Sequence, residues 1–321
     1  MTRRYVAGRL LQILAAIAFI VIISFGLIHL APGDAVGALA GEYGDADYYA
    51  LMREKFGLDR PLPEQFLAYA GNVLRGDLGV SFIHGRPVAD VIGERLPATL
   101  LLMVTAIILS TLAGIGLGAL SARRPFGPFD LGVSVACLIG YATPSFLLAQ
   151  VALLTLAFYA GLFPIHGMTD PRTVTTGLVR IIDVAHHLVL PAVVLATQQI
   201  ALTARLTRAG IIEASGRDFI RTARATGLSE GQALRRHALP NALLPVVTII
   251  GGRVGFLFSG AVLTEIVFAW PGIGRLMLSS LQTRDHPVLL GILLMVAFAV
   301  VVANLLTDLI YAWLDPRIRY N

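Results

Sequence analysis

The sequence predicts an all-α polytopic membrane protein with six membrane-spanning helices, and three observations carry that prediction. Of its 321 residues, 56% are hydrophobic and only 14% are charged, against roughly 25% charged in an ordinary soluble domain. The mean hydropathy is +0.76. The apolar residues also gather into runs of about 20 or more, the length a helix needs to cross a bilayer core about 30 Å thick. Within hydrocarbon such runs must be helical, because no solvent partner exists for backbone N–H and C=O.

The runs are Leu10–Ala31, Ala98–Leu120, Leu131–Phe163, Leu188–Ile212, Asn241–Phe268 and Val288–Leu314. The first follows "MTRRYVAGR" and exceeds the roughly 7–15 apolar residues of a signal peptide, and the small-residue "ALA" at 38–40 lies too far beyond it, so a retained span is expected. The second is uninterrupted. The third is longer than a straight crossing requires and contains Pro144 in "YATPSF", where the missing N–H predicts a kink. The fourth carries Gln198 and Gln199 in "LATQQIALTAR", amides that either join helices or line a polar pathway. The fifth contains Arg253 in "GGRVGFLF", 13 residues after Pro240, or about 20 Å along a helix. At that depth an arginine faces a pore or a partner; the alternative is that it snorkels to the interface. Glu265 lies 12 residues further on, about 18 Å away and too far for a direct pair on one helix. Glu265 and, in the sixth run, Asp308 both fall near span ends.

Arginine placement sets the orientation. Arg3, Arg4 and Arg9 precede the first run; Arg123 and Arg124 join the second to the third; Arg205, Arg208, Arg217, Arg221, Arg224, Arg235 and Arg236 lie between the fourth and fifth; Arg317 and Arg319 follow the sixth. All four groups fall on one side, which the positive-inside rule makes cytoplasmic. The opposite side receives Pro32–Pro97, where acidic residues such as Asp34, Asp45, Asp47 and Asp77 outnumber basic ones. The chain thus divides into a first span with an extracytoplasmic segment (1–97), a five-helix region (98–314) and a cytoplasmic tail (315–321), with both termini cytoplasmic.

The net charge of +5 does not mark a nucleic-acid binder, because the arginines are scattered between apolar spans instead of lining one face. Cys137 is the only cysteine, so neither an internal disulfide nor a multi-cysteine metal site exists. His186 and His187 are adjacent and point apart on a helix, which suits an interface better than a metal. Ser, His and Asp within the spans form no catalytic constellation. An ion-coupled carrier would favour carboxylates near the midplane, whereas here they sit near span ends.

The cytoplasmic stretch from Glu213 to Pro240, "EASGRDFIRTARATGLSEGQALRRHALP", is the most informative segment. Phe219, Ile220 and Ala223 recur at helical spacing, which predicts one apolar face. Gly227 reads as a C-terminal helix stop. Ser229 and Gln232 have capping-box spacing and start a second short helix, and Pro240 is tolerated in the first turn of the span that follows. A solvated basic loop attracted to anionic lipid needs no such stop and start signals. A surface that docks in another protein's groove does, since apolar anchors supply burial and rim charges set register. "LSEGQ" at 228–232 is the capping box and not a nucleotide signature: the only lysine, Lys55, is followed by Phe56, so no phosphate-binding G-x-x-x-x-G-K-[ST] loop exists.

On these residues the chain resembles the membrane-spanning permease subunits of bacterial ABC importers, in the peptide and nickel group. That group's coupling motif has a Gly followed ten positions later by a residue preceding x-Leu-Pro; here Gly227 is followed by His237, Leu239 and Pro240. "DFIRTARATGLS", "RHALPNALLP", "RGDLGVSF", "RPVADVIGERLPATLLL", "TPSF", "GAVLTEIVFAWPGIGRL", "RDHPVLLG" and "DLIYAWLDPRIRY" all look like group members, over almost the whole chain. One departure is Thr226, where many relatives have lysine.

The resemblance implies a type I ABC importer fold in the bacterial cytoplasmic membrane and no catalysis by this chain. It implies a paralogous permease subunit, two cytoplasmic ATPases holding MgATP, and an extracytoplasmic binding protein delivering dipeptides or oligopeptides, or alternatively a nickel chelate or other solute. Asp218, Phe219, Arg221, Ala223, Arg224, Gly227, Leu239 and Pro240 are the expected coupling residues. Gln198, Gln199, Arg253 and Glu265 are the candidates for the translocation pathway. No metal site and no cofactor bound by this chain are expected.

Overall fold

The apolar runs fold as helices. The computed structural model describes residues 3–30, 47, 60–172, 176–252 and 254–314. Its helices are α1 (Arg3–Leu30), α2 (Leu62–Leu74), α3 (Val88–Ala122), α4 (Pro128–Ala142), α5 (Ser145–Ala152, continued by a π-helical stretch Leu153–Tyr159), α6 (Gly177–Ser215), α7 (Asp218–Ala225), α8 (Glu230–Ala233, continued by a π-helical stretch Leu234–Ala238), α9 (Leu239–Gly252), α10 (Val254–Val267), α11 (Ile273–Gln282) and α12 (His286–Leu314). Among the described residues the extended pairing is an isolated antiparallel bridge between Val80 and Pro87.

Among the described residues, three helical segments are long and apolar enough to cross a membrane: α3, α6 and His286–Leu305 of α12. The α4–α5 pair passes as one broken span. The first predicted run lies on α1, whose described apolar stretch Leu14–Leu27 is shorter. The fifth becomes α9 and α10, 14 residues each, and Arg253 lies outside the described residues. The fourth run is longer than its composition marks: α6 has 39 residues, about 58 Å at 1.5 Å per residue, nearly twice the hydrocarbon thickness.

The expected kink at Pro144 is a full break, with α4 and α5 at 106°. The cause is local. The proline ring crowds the residue before it out of the α region, and Thr143 takes φ −82°, ψ 126°.

Contacts divide the chain into two units, Met1–Ala98 with Pro271–Leu305 and Pro316–Asn321, and Thr99–Trp270 with Leu306–Asp315. In the first unit, Phe25 of α1 stacks edge-on with Phe66 of α2 at 5.4 Å. The loop before α3 is tied to the start of α12 by Asp285, which is 1% exposed. Its carboxylate accepts from Ser81 Oγ at 2.5 Å and from the N–H groups of Phe82 (3.3 Å) and Ile83 (3.4 Å).

In the second unit, α6 is the central pole, packed by α4, α9, α5 and α10. It also meets α3 at backbone distance. A Cβ on Gly114 would stand 2.5 Å from Thr203 Cβ, and one on Gly118 would stand 2.5 Å from the carbonyl oxygen of Ala204. Small residues four apart let the two backbones approach in this way.

Candidate functional site

Within the basic stretch from Glu213 to Pro240, two helical pieces follow α6, and each boundary has a visible cause. After α7, Gly227 adopts φ +92°. Leu228 N–H donates to the carbonyl of Ala223 at 3.2 Å and Gly227 N–H to that of Arg224 at 3.0 Å. This pair of crossed bonds is a Schellman stop and requires a left-handed residue between them. Thr226, the departure from the resembling group, turns its hydroxyl back onto the Ala223 carbonyl at 2.9 Å. Ser229 and Gln232 then form the capping box, with Gln232 Oε1 accepting from Ser229 N–H at 3.0 Å. The helix widens to π-form over Leu234–Ala238 before Pro240, and Asn241 Nδ2 donates to the carbonyl of His237 at 2.7 Å. Pro240 supplies no N–H to the carbonyl four residues before it, and a π-helical stretch is the kind of local adjustment found at such a point.

The predicted single apolar face of α7 divides in two. Ile220 (1% exposed) is buried in a cluster with Ile211 and Ala214 of α6, Ala238, Ala242 of α9 and Ala122 of α3, and Ala223 is buried as well. Phe219 is 39% exposed and is not part of that cluster; it lies about 100° round the helix from Ile220. The segment therefore spends one apolar stripe on its own protein and holds one aromatic outward. Around Phe219 the surface is polar: Arg217–Glu213 pair at 2.6 Å, Arg221–Asp218 at 3.4 Å and Arg224–Glu230 at 3.3 Å. The Arg221 and Asp218 side chains are 78% and 94% exposed, and pairs so wet contribute little to stability. Leu239 is half-buried and Pro240 exposed. Of the eight predicted coupling residues, Asp218, Phe219, Arg221, Arg224, Gly227 and Pro240 are thus outward, whereas Ala223 faces the protein's own core.

Of the predicted pathway residues, Gln198, Gln199 and Glu265 lie among the described ones. Gln198 donates from Nε2 to the carbonyl of Thr143 at 3.3 Å, meeting the α4–α5 break. Gln199 is buried on the same helix. Glu265 is 0% exposed, accepts from Thr99 Oγ1 at 2.6 Å and thus joins α10 to α3 in this conformation. Arg253 lies outside the described residues. His187 Nδ1 lies 3.1 Å from Asp183 Oδ1 and His186 Nε2 lies 3.1 Å from the carbonyl oxygen of Leu162.

One pair escaped the sequence reading. Asp130, in the first turn of α4, is bound by Arg208 of α6 through two parallel bonds of 2.5 and 2.6 Å, and also accepts Phe126 N–H at 2.7 Å. An acid in a first helical turn is an ordinary start signal. Nothing in the sequence pairs it with an arginine 78 residues on.

Residues 114–320 match the family described as "Binding-protein-dependent transport system inner membrane component", and residues 1–103 match that system's N-terminal membrane component. The chain belongs to this family. It is a membrane-embedded permease subunit of an ABC transport system, a kind of subunit that works with ATPase and solute-binding components. Curated relatives include the "Oligopeptide transport system permease protein AppB" of Bacillus subtilis (strain 168), 40% identical over 98% of this chain and 99% of the relative. The "Dipeptide transport system permease protein DppB" of Escherichia coli (strain K12) is 38% identical over 99% of each, and the "Glutathione transport system permease protein GsiC" of Escherichia coli O6:H1 is 35% identical over 99% of each. Among solved structures, the permease resembles a chain from "Crystal structure of an amino acid ABC transporter with histidines" with a TM-score of 0.50 at 18% identity, covering 71% of this chain and 94% of that one. That likeness concerns the fold.

Proposed function

We propose that this permease imports dipeptides or oligopeptides across a bacterial cytoplasmic membrane, receiving them from an extracytoplasmic binding protein and pairing with a paralogous permease subunit. Two cytoplasmic ATPases close on MgATP and move the segment Asp218–Pro240; the chain itself hydrolyses nothing. The peptide assignment is supported by the relatives' names at 38–40% identity over nearly their full length. The arginine distribution supports cytoplasmic termini and a cytoplasmic coupling segment, with six spans divided among residues 1–97 and 98–314 and a tail at 315–321.

The observation that carries the coupling role is the exposure of Phe219 with Asp218, Arg221 and Arg224, on a helix that is also packed onto the permease through buried Ile220. A segment built this way transmits a push: its outer face is free for a partner and its inner face is anchored to α6, α9 and α3. Gln198, Gln199, Glu265 and Arg253 remain the proposed pathway residues, Gln198 through its position at the broken span.

Co-purification with the two ATPases, followed by uptake of a labelled dipeptide mixture into proteoliposomes, tests the reading. Uptake must require the binding protein and internal ATP, and must survive collapse of the proton and sodium gradients. Uptake by the purified chain without an ATPase, or uptake driven by an ion gradient, rejects it in favour of a secondary carrier.

A further inference from the structure

The coupling segment reaches the membrane helices through small apolar side chains, chiefly Ala122, Ala214, Ala238 and Ala242 with Ile211 and Ile220. Such contacts bury surface without fixing an angle, because dispersion and the hydrophobic effect are non-directional. Directional ties lie on α6 just above. Arg208, about one helical turn before Ile211, grips Asp130 through Nε to Oδ1 (2.5 Å) and Nη2 to Oδ2 (2.6 Å). Asp130 is 2% exposed and the Arg208 side chain 25%.

Two further features show how tightly this joint is held. Phe126 N–H donates to the same Oδ2 at 2.7 Å, and the Arg208 guanidinium lies 5.6 Å from the centroid of the Phe126 ring. Phe126 has φ +64°, a left-handed backbone that L residues occupy at a cost and keep only where surroundings impose it. Replacing a buried ion pair by apolar groups is often neutral or stabilising, so such a pair is weak evidence for stability. A two-pronged arginine grip does define an orientation.

The same two helices are tied again at the other end. Gln198, ten residues before Arg208 on α6, donates to the carbonyl of Thr143, 13 residues after Asp130 on α4 and at the break into α5. Between the ties lie Cys137, Ala201 and Ala204 in one buried cluster, and Gly140, whose added Cβ would stand 2.8 Å from Thr197 Cγ2. The α4–α6 pair is thus antiparallel, closely packed and bonded at both ends.

We propose that Asp130 and Arg208 are positioning residues for energy coupling: they make α4 and α6 one rigid lever that carries displacement of the segment Asp218–Pro240 to the helix break at Thr143–Pro144. This rests on the coupling role proposed above and adds the route by which the push travels. Without the grip, the lower end of α6 moves with the ATPase while α4 lags.

The test uses the complete transporter, with both permeases, the ATPases and the binding protein, in proteoliposomes. Asp130→Asn and Arg208→Lys are each expected to lower labelled dipeptides moved per ATP hydrolysed by about 5-fold or more, the scale of ordinary site-to-site coupling. A purely structural role would reduce the amount of transporter recovered and leave that ratio unchanged; Arg208→Lys keeps the charge and covers the case in which Asp130→Asn does not assemble. In parallel, spin labels at Arg124→Cys and Thr222→Cys, in a Cys137→Ala background, report the distance between the α3–α4 loop and the coupling segment. That distance is expected to hold between the ATP-free and vanadate-trapped states in the parent and to shift in Asp130→Asn. Unchanged ratios in both variants, or a distance that shifts equally in parent and variant, overturn the proposal. Gly227→Val separates the two readings: if it uncouples while Asp130→Asn and Arg208→Lys do not, the lever alone fails; if it too leaves the ratio intact, the coupling role fails and the lever with it.

Discussion

Gly227 offers a substitution series in which torsional strain and side-chain size predict opposite orders. Its φ of +92° is required by the stop between α7 and α8, yet a Cβ built there meets nothing within 4 Å. Steric contact is therefore removed as a cause, and what remains is backbone strain. An alanine held in the left-handed region loses roughly 1–2 kcal/mol relative to glycine, asparagine tolerates the region several-fold better than most residues, and a β-branched valine is a genuine outlier there. Since about 1.4 kcal/mol is a factor of ten, alanine reduces the fraction of correctly stopped segment by about 5- to 30-fold, valine by more and asparagine by less. In proteoliposomes holding the whole transporter, solute moved per ATP is expected to fall in the order Gly, Asn, Ala, Val while membrane insertion is retained. A packing effect predicts the smaller alanine to be milder than asparagine. Finding alanine milder than asparagine, or valine equal to glycine, refutes the argument from the Schellman stop.

Three stability predictions follow from the same structure. Gly118→Ala drives a methyl to 2.5 Å from the Ala204 carbonyl oxygen and 2.8 Å from Thr207 Cβ and is expected to destabilise the purified subunit by about 1–3 kcal/mol, as overpacking does. Gly116→Ala, two residues earlier on the same helix with nothing within 4 Å, is expected to be neutral or to stabilise by up to about 1 kcal/mol; equal effects in a denaturant titration would reject the close α3–α6 approach. Asp285→Asn presents an amide to two N–H donors and the Ser81 hydroxyl, with an expected loss of about 1–3 kcal/mol for mismatched buried groups and faster proteolysis near residues 81–84; an unchanged cleavage rate contradicts it. Gln198→Leu leaves the Thr143 carbonyl without its amide donor and should lower the melting temperature of the assembled transporter, whereas Thr197→Ser, which keeps a hydroxyl for the Val193 carbonyl, should change it little.

Helix existence was legible in the sequence because burial in hydrocarbon leaves one option for the backbone, and a run of apolar residues states that condition directly. Gly227, Ser229 with Gln232, and Pro144 were legible for a related reason. Each acts on its own immediate neighbours, through a left-handed φ, a reciprocal cap or a proline ring, and no distant contact is needed to define the outcome. The side-chain division of α7 was not legible. Spacing places Phe219, Ile220 and Ala223 near one another, but only the surrounding α3, α6 and α9 decide that Ile220 is covered and Phe219 is left out.

The joints between helices belong wholly to the tertiary structure. Asp130 with Arg208 and Thr143 with Gln198 are 78 and 55 residues apart, and Glu265 meets Thr99 across 166. Each of these is a polar group set among apolar helices, and low dielectric makes each of them need a partner. Which partner each one takes depends on helix crossing geometry set by glycine and alanine contacts along α6, a property of the packed chain that no local stretch encodes.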